Sequence, residues 1–184
     1  MDRKYIYLLV GRSGSGKSTV ADILAEKHGW KVLQSYTTRE PRFPGETGHT
    51  FVTKEEFDAL QNKCAYTMFS GNEYCATDDM VNDSDIYIID PAGVEFFVEA
   101  YKGSRTPICV IIDLLEEEAA ERMNKRQGAS DTETERRLKN DAEQFKEVRS
   151  RMVKLNLDLI MFDGAEATPE QIAAGIYQDS INRG

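Results

Sequence analysis

The sequence predicts an α/β fold, in which a mostly parallel sheet is flanked by helices, from three observations. The apolar runs YIYLLV, DIYIID and TPICVIID are typical of strands that are buried on both faces of a sheet. Segments with helical spacing of apolar residues alternate with these runs, as expected for a parallel sheet with helical crossovers. The length of 184 residues suits one compact domain with small inserts.

The first third of the chain predicts a strand, a helix, a second strand and a long loop. Residues 4–10 form the first strand, and apolar residues at helical spacing over 17–28 predict a helix. The segment KVLQS (31–35) then predicts a short strand. Two prolines and two glycines within 36–50 predict a loop.

A short helix and a hairpin are predicted next. Thr53 and Glu56 have the spacing of a capping box, so a helix should begin after Thr53. Strand-like runs on both sides of Gly71 and Asn72 predict a hairpin. These elements interrupt the alternation of strands and helices over 36–78, and we interpret that stretch as an insert on the sheet.

The remainder of the chain returns to alternation. Its predicted elements are strands at 85–90, 106–113 and 157–162, helices at 91–102 and 114–126, a long helix from a Ser130–Glu133 capping box, and a last helix capped by Thr168. The long helix carries Leu138, Ala142, Phe145, Arg149 and Met152 on one stripe.

Composition and charge limit the function classes. The net charge of −9 argues against general affinity for nucleic acid or anionic membranes. Cys64, Cys75 and Cys109 lack metal-binding spacing and are interpreted as reduced thiols. No apolar run is long enough to cross a bilayer, and the N-terminus enters a strand without a secretory segment. We therefore expect a cytoplasmic protein that is a monomer or a homodimer.

A glycine-rich motif follows the first strand directly. Gly11, Gly16, Lys17 and Ser18 fit the pattern G-x-x-x-x-G-K-[ST] between a strand and a helix. Backbone N–H groups of such a loop converge on phosphate oxygens, the lysine reaches the β- and γ-phosphates, and the serine ligates Mg²⁺. The motif predicts a bound nucleoside triphosphate. The predicted contacts are Gly11, Ser13, Gly14, Ser15, Gly16, Lys17, Ser18 and Thr19.

A pair of arginines predicts a second anion site. Arg39 and Arg42 lie three apart in a proline-containing loop, where both can fork onto one phosphate, although a salt-bridged surface loop is the alternative. Tyr74 adds an uncharged donor or is a core aromatic residue of the hairpin. Asp90 ends a strand, where it can orient substrate or a Mg²⁺-bound water, or cap the next helix.

Three segments resemble the guanylate kinase family. They are SYTTREPRFPGETGHTFVTKEEF (35–57), SGNEYCAT (70–77) and RMNKRQGASDTETERRL (122–138), and with the glycine-rich loop the resemblance spans about residues 4–164. It implies a P-loop sheet with a monophosphate-binding insert and a helical lid. The implied domain is a core of 1–34 and 86–184, an insert of 35–85 and a lid at about 123–137.

The resemblance also implies residue roles. Arg126 and Arg137 match the lid arginines that approach the transferring phosphoryl group, and Lys17 joins them as a catalytic residue. Exposed helix arginines are the alternative for the first two. The implied acceptor site consists of Ser35, Arg39, Arg42, Glu46, His49, Tyr74, Thr77 and Asp90. The implied reaction is Mg²⁺-dependent transfer of the γ-phosphate of ATP to a nucleoside monophosphate, GMP or dGMP as first choice.

The sequence departs from the family pattern around the acceptor base. Ala65 and Ile88 stand where the family has acidic residues. His49 replaces a phosphate-binding tyrosine, Cys75 replaces a glycine, and Phe162 replaces an asparagine near the donor base. The loss of a charge-assisted hydrogen bond costs about 1.5–3 kcal/mol, enough to alter base specificity without affecting phosphoryl transfer. Glu46 or Asp78 is a candidate for the missing carboxylate.

Two alternatives follow from these departures. One is a kinase of the same fold that acts on another nucleotide, on a deoxynucleotide or on a sugar phosphate. The other is a protein-binding module that has lost catalysis, which the intact Lys17, Ser18, Arg126 and Arg137 disfavour.

Overall fold

The computed structural model describes residues 4–69, 71–125 and 131–184, without the side chains of 131–134. Its strands are β1 (Tyr5–Gly11), β2 (Ser35–Thr37), β3 (His49–Phe51), β4 (Lys63–Phe69), β5 (Asn72–Thr77), β6 (Ile86–Ile88), β7 (Thr106–Asp113) and β8 (Asp158–Asp163). Its helices are α1 (Lys17–His28), α2 (Lys54–Ala59), α3 (Asp78–Asn82), α4 (Pro91–Ala100), α5 (Glu116–Asn124), α6 (Asp131–Gln144), α7 (Val148–Lys154) and α8 (Pro169–Arg183).

A parallel sheet in the order β6-β1-β7-β8 forms the centre of the fold. Parallel strands place their carboxyl ends at one edge, where open α/β sheets bind ligands. At that edge Gly11 lies beside Ile112, and Asp113 lies beside Asp163. The loop that follows Gly11 therefore starts where the fold favours a ligand.

Each face of this sheet packs against helices. Along β1, Ile6, Leu8 and Val10 contribute to one core cluster, whereas Tyr7 and Leu9 contribute to the other. This is the alternation that a strand with two buried faces requires. Helices α4 and α7 cover the first face, and α1 and α8 cover the second.

The insert forms a second sheet in the order β3-β2-β5-β4. Strand β2 is parallel to β3 and antiparallel to β5, and β4 and β5 form the predicted hairpin. The predicted short helix is also present, with a complete Thr53–Glu56 capping box. The insert attaches to the core where the Tyr66 ring of β4 meets the Phe96 ring of α4, with centroids 6.0 Å apart.

Two predictions of secondary structure were wrong. The segment 31–35 is not a strand, because Val32 makes only one bridge, to Ile86, before the chain crosses to the insert sheet at Ser35. The long helix predicted to run to Met152 is two helices, because Glu147 adopts a left-handed backbone with φ 53° between α6 and α7. The predicted Ser130–Glu133 cap lies outside the described residues.

The last helix begins as predicted. The Thr168 hydroxyl accepts from the N–H of Gln171, the Gln171 side chain reaches back, and Pro169 occupies the first helical position. All three cysteines are free and buried, and burial raises the pKa of each thiol. In the described part of the chain, no helix combines the length and the apolar composition needed to cross a membrane.

Candidate functional site

The glycine-rich loop joins the end of β1 to the start of α1. Gly14 and Gly16 have φ of 81° and 90°, which glycine adopts without steric cost. A Cβ at Gly11 would lie 2.8 Å from the carbonyl oxygen of Ile112, so the tight exit from the sheet also requires glycine. The first N–H groups of α1 have no intrahelical partner and carry the positive end of the helix dipole. The loop is thus an anion-binding nest at the ligand edge of the sheet.

Lys17 folds back over this loop. Its ammonium donates to the carbonyl oxygens of Gly11 at 2.6 Å and Arg12 at 2.9 Å. Burial lowers the pKa of Lys17 to about 8, the negative charge of Asp141 opposes that shift, and the positive charge of Arg137 adds to it. The ammonium therefore lies inside the nest, close enough to Asp141 and Arg137 to respond to both.

The end of helix α6 and the residue that follows it contact the loop through positions four apart. The N–H of Ser13 donates to the Oδ2 of Asp141 at 2.6 Å. The Arg12 guanidinium lies over the Phe145 ring, 5.4 Å from its centroid. Asp141 is buried, although carboxylates are rarely buried without a charged or hydrogen-bonding partner.

A metal ion would be held by few protein groups here. Ser18 lies in the exposed first turn of α1, where its hydroxyl is open to solvent. Within 4–69, 71–125 and 131–184, no group of three or more His, Cys, Asp or Glu side chains could hold a metal. Mg²⁺ retains several waters and takes phosphate oxygens as ligands, so a single hydroxyl beside a phosphate nest fits its requirements.

The second anion-binding region lies in the insert and centres on Arg39. The two Nη atoms of Arg39 donate to both carboxylate oxygens of Glu46, at 3.1 and 2.8 Å. Glu46 also accepts from the backbone N–H of Arg42 at 2.6 Å. The Arg39 hydrogen bonds are the main cause that lowers the pKa of Glu46 to about 2. Glu46 is therefore an anion that fixes Arg39 within the loop.

One nitrogen of this guanidinium remains unused. The Nε of Arg39 is buried and has no hydrogen-bond partner among the described residues. The guanidinium lies over the Phe51 ring, 5.2 Å from its centroid, and the Tyr74 side chain lies nearby. A buried donor without a partner is costly, and an anionic ligand oxygen would satisfy it.

Strand register brings the other acceptor candidates to this guanidinium. Ser35 of β2 pairs with His49 of β3, and the Ser35 Oγ lies 3.0 Å from the His49 Nδ1. The rings of His49 and Tyr74 meet edge to face, with centroids 5.4 Å apart. Burial, then the Arg39 charge, lowers the pKa of His49, so the imidazole is neutral at pH 7.

The base side of this region is apolar or uncharged. Ala65 is buried in the core, and Ile88 is partly buried and pairs with Leu9. The ring of Tyr87 is buried in the same core cluster as Ala65, and its hydroxyl lies near Ser35. The pKa of Tyr87 is raised by burial, so it remains a neutral phenol.

A cavity of about 420 Å³ opens at the carboxyl ends of β7 and β8. Its walls include apolar side chains such as Leu115 and Phe162, together with Asp113 and Arg149, which approach each other to 3.6 Å. Arg122 of α5 closes the adjacent turn by donating to the carbonyl oxygen of Gly164 at 2.7 Å.

Comparison with known families bears on the first of these regions. Residues 8–146 match the family described as AAA domain, and these residues make up most of the chain. The chain belongs to the AAA domain family. The match begins within β1 and extends through the glycine-rich loop and α6.

Two named proteins are similar to this AAA domain protein. A guanylate kinase of Fusobacterium nucleatum subsp. nucleatum is 36% identical over 74 residues, and the match covers 38% of this chain and 40% of that relative. The crystal structure of guanylate kinase from Anaplasma phagocytophilum superposes with a TM-score of 0.65 at 22% identity, over 100% of this chain and 87% of that one. The predicted fold class and the resemblance to guanylate kinases are confirmed as a shared fold.

The structure of this AAA domain protein brings most of the predicted acceptor residues together. Ser35, Arg39, Glu46, His49 and Tyr74 form one contact network, and Arg42 joins it through Glu46. The side chain of Glu46, proposed above as one source of a missing base carboxylate, is occupied by Arg39.

Three predicted residues lie outside that network. Asp90 caps α4 by accepting from Gly93 N–H at 2.6 Å, is hydrogen-bonded to Thr67, and has a pKa raised by burial. Thr77 lies at the end of β5, where it pairs with Lys63. Asp78 interacts with Cys64, and one of its carboxylate oxygens is buried without a partner among the described residues.

The structure describes one of the two predicted lid arginines. Arg126 lies outside the described residues, whereas Arg137 lies on α6, where its charge acts on Lys17. The sequence did not predict Asp141 and Phe145 as loop contacts. The signal for them was a spacing of four from Arg137 to Asp141 and from Asp141 to Phe145, which by itself does not identify a partner.

Proposed function

We propose that this protein transfers the γ-phosphate of ATP to a nucleoside monophosphate, with GMP or dGMP as the first choice of acceptor and with Mg²⁺. The observation that carries this proposal is the buried Nε of Arg39, a donor without a partner in the described part of the chain, together with a phosphate nest at 11–18. A hydrolase needs only the nest. Two separate phosphate sites are what a two-substrate phosphotransferase requires.

The donor half would bind the triphosphate through the loop. The backbone N–H groups of 13–18 and the Lys17 ammonium would hold the β- and γ-phosphates, and Ser18 would ligate Mg²⁺, which neutralises phosphate charge when bound. Arg137 already lies close enough to influence Lys17, so its positive charge is available to a transferring phosphoryl group. We assign the nucleoside of the donor to the cavity at the ends of β7 and β8, since ligands of open α/β sheets bind at this edge.

The acceptor half would hold the monophosphate. The Arg39 Nε, the Arg42 side chain and the Tyr74 hydroxyl are the donors to its phosphate oxygens. An acceptor phosphate oxygen then attacks the γ-phosphorus, the bond from that phosphorus to the bridging oxygen breaks, and ADP leaves. Orienting the two phosphates in line supplies most of the catalysis, because this reaction needs little covalent participation by the protein.

The similarity to guanylate kinases supports GMP, whereas Ala65 supports a second candidate. The base side of the pocket offers the hydroxyls of Tyr87 and Ser35 and no carboxylate at position 65. Hydroxyls both donate and accept, so they discriminate less strongly for the guanine N–H edge than a carboxylate does. The second candidate is therefore a kinase of the same fold that accepts another nucleotide or deoxynucleotide.

A turnover panel tests the proposal. ADP formation from ATP is measured with each ribo- and deoxynucleoside monophosphate, with Mg²⁺ and with a chelator. Turnover confined to GMP and dGMP supports the first choice, and comparable rates with other bases support the second candidate. Bound ATP without turnover on any acceptor contradicts the kinase proposal.

A further inference from the structure

Helix α6 presents the carboxylate of Asp141 to the phosphate loop. Asp141 accepts a 2.6 Å hydrogen bond from the N–H of Ser13, which lies 128 residues earlier in the chain. One turn further along, Phe145 supports the guanidinium of Arg12. One turn earlier, Arg137 is close enough to act on the Lys17 ammonium. Arg137 and Asp141 share one face of α6, Phe145 follows directly after the helix ends, and all three lie at the loop.

The Asp141 carboxylate is held by the groups that bind phosphate in such loops. Its side chain is 6% exposed, and it is stabilised by the Ser13 N–H and by the nearby positive charge of Lys17. A loop N–H that donates to a carboxylate cannot at the same time donate in full strength to a phosphate oxygen. A carboxylate that contacts the loop and a triphosphate bound to the same loop also repel each other.

We propose that Asp141 is a built-in competitor of the triphosphate: it occupies the loop N–H in the nucleotide-free protein and must withdraw when ATP binds. Because Asp141 belongs to α6, its withdrawal moves this helix or rotates the side chain away from the loop. ATP binding is thereby coupled to the position of α6, and Asp141 sets the ATP affinity. The inference rests on the proposed function only in that ATP binds at 11–18.

A competitor and a purely structural residue predict different results. A structural residue that is removed lowers the stability of the free protein and either weakens ligand binding or leaves it unchanged. A competitor that is removed also destabilises the free protein, because the Ser13 and Lys17 contacts are lost, but it strengthens ATP binding. Lower stability of the free protein together with tighter ATP binding would therefore identify Asp141 as a competitor.

The experiment uses the full chain and three substitutions. Asp141→Asn removes the charge and keeps an oxygen that can accept from Ser13. This variant should therefore fold even if Asp141→Ala does not. Asp141→Ala removes both. Glu143→Gln is the matched control, because Glu143 is an exposed acid on the same helix. ATP dissociation constants are measured by calorimetry, and melting temperatures are recorded with and without ATP.

We expect Asp141→Ala to bind ATP roughly tenfold more tightly, the equivalent of losing one charge-assisted hydrogen bond to a competitor, and Asp141→Asn to lie in between. Without ATP, both variants should have a lower melting temperature than the parent protein. ATP should raise this temperature by more in the variants than in the parent protein. Glu143→Gln should match the parent protein.

The outcomes separate this inference from the proposed function. Equal ATP affinity in all proteins overturns the inference alone, and weaker binding by both Asp141 variants also overturns it, since Asp141 would then contact bound nucleotide. Tighter binding by the variants with no turnover on any monophosphate supports the inference while the proposed function fails. Absence of ATP binding in every protein overturns both.

Discussion

The donor loop and the acceptor loop each hold a carboxylate against a phosphate-binding group, but the carboxylates differ in origin. Glu46 comes from the same loop as Arg39, seven residues away, and accepts from both Nη atoms, while the Nε has no partner within the described residues. Asp141 comes from a helix 128 residues away and occupies an N–H that a phosphate would use. The Glu46 carboxylate orients the Arg39 guanidinium, whereas the Asp141 carboxylate accepts from a loop N–H that a phosphate oxygen would use.

This difference distinguishes a carboxylate that holds a phosphate-binding group in place from a carboxylate that competes with the phosphate. Glu46 can keep its two hydrogen bonds to the Arg39 side chain while Arg39 binds a phosphate through the Nε, for which the described residues offer no partner. Asp141 shares its donor with the ligand and has to leave. Removing Glu46 should therefore weaken acceptor binding, whereas removing Asp141 should strengthen donor binding.

The largest effect is expected for Lys17→Ala. The ammonium lies inside the nest, and no other described lysine donates to the loop carbonyls, so its loss removes the cation closest to the transferring phosphate. We expect kcat to fall by at least about 100-fold, the order found when one preorganised transition-state donor is lost. Steady-state ADP formation and the circular dichroism spectrum are measured together. Unchanged turnover would mean that the loop at 11–18 is not the donor site.

Arg39→Ala should have the next largest effect, and on the acceptor alone. The substitution removes the buried guanidinium and leaves Glu46 with the N–H of Arg42 and the more distant Arg42 side chain. We expect the KM for the monophosphate to rise roughly 10–100-fold, the equivalent of one or two charge-assisted contacts, with the KM for ATP unchanged. An equal rise in both KM values would contradict the assignment of this region to the acceptor.

Glu46→Gln sharpens the comparison because it keeps the shape of the side chain and removes its charge. If Glu46 is a scaffold, Arg39 loses its fixed orientation and the acceptor KM rises, by about tenfold. A fall in that KM would show that Glu46 competes with the acceptor phosphate, as we propose for Asp141 and the donor. Initial rates at saturating ATP decide between the two outcomes.

The two halves were not equally predictable from the sequence. Residues 11–19 form a contiguous motif whose glycine conformations and helix start are local, so the nest could be predicted without tertiary information. The acceptor network depends on register: Ser35 meets His49, and Thr37 meets Tyr74, only because β2 pairs with β3 and β5. The arginines suggested a phosphate site, but their partner Glu46 and the buried Nε became visible only in three dimensions.

The contacts of α6 could not be predicted for a different reason. Helical periodicity indicated one continuous stripe through Phe145 to Met152, and on that basis we predicted a single helix. The left-handed residue Glu147 divides it into two helices: Met152 is buried in the core, and Phe145, which packs against the same core, also contacts Arg12. An acidic residue in a polar helix gives no indication that it will face a loop 128 residues away.

The pH dependence of ATP affinity tests the position of Lys17. The effect expected here is smaller and graded. Its pKa of about 8 lies below the ordinary value of 10.5 because burial disfavours the charged form. Above pH 8 the free protein loses this proton, and ATP has to restore it to regain the charge–phosphate interaction. We expect ATP affinity to fall by up to about tenfold per pH unit above pH 8.

Folding stability should respond in the opposite direction over the same range. Between pH 8 and 10.5 the unfolded chain binds more protons at this lysine than the folded chain, so the contribution of Lys17 to the free energy of unfolding rises with pH. Calorimetric binding and denaturant unfolding at matched pH values measure both slopes. Lys17→Ala is the control, because both contributions should vanish. A flat ATP affinity from pH 8 to 9.5 would mean that the ammonium is not buried in the nest.

The smallest effect is expected for Tyr74→Phe, which removes one hydroxyl from the acceptor network. That hydroxyl lies near the Arg39 guanidinium, while the ring keeps its edge-to-face contact with His49 at 5.4 Å. A hydrogen bond from the hydroxyl to the acceptor phosphate contributes about 0.5–1.5 kcal/mol, so the acceptor KM should rise roughly two- to tenfold, with ATP binding unchanged. Tyr66→Phe on the neighbouring strand is the matched control, because its hydroxyl bonds Glu73 instead. If both variants raise the acceptor KM equally, the effect comes from the insert sheet as a whole, and Tyr74 has no contact of its own with the phosphate.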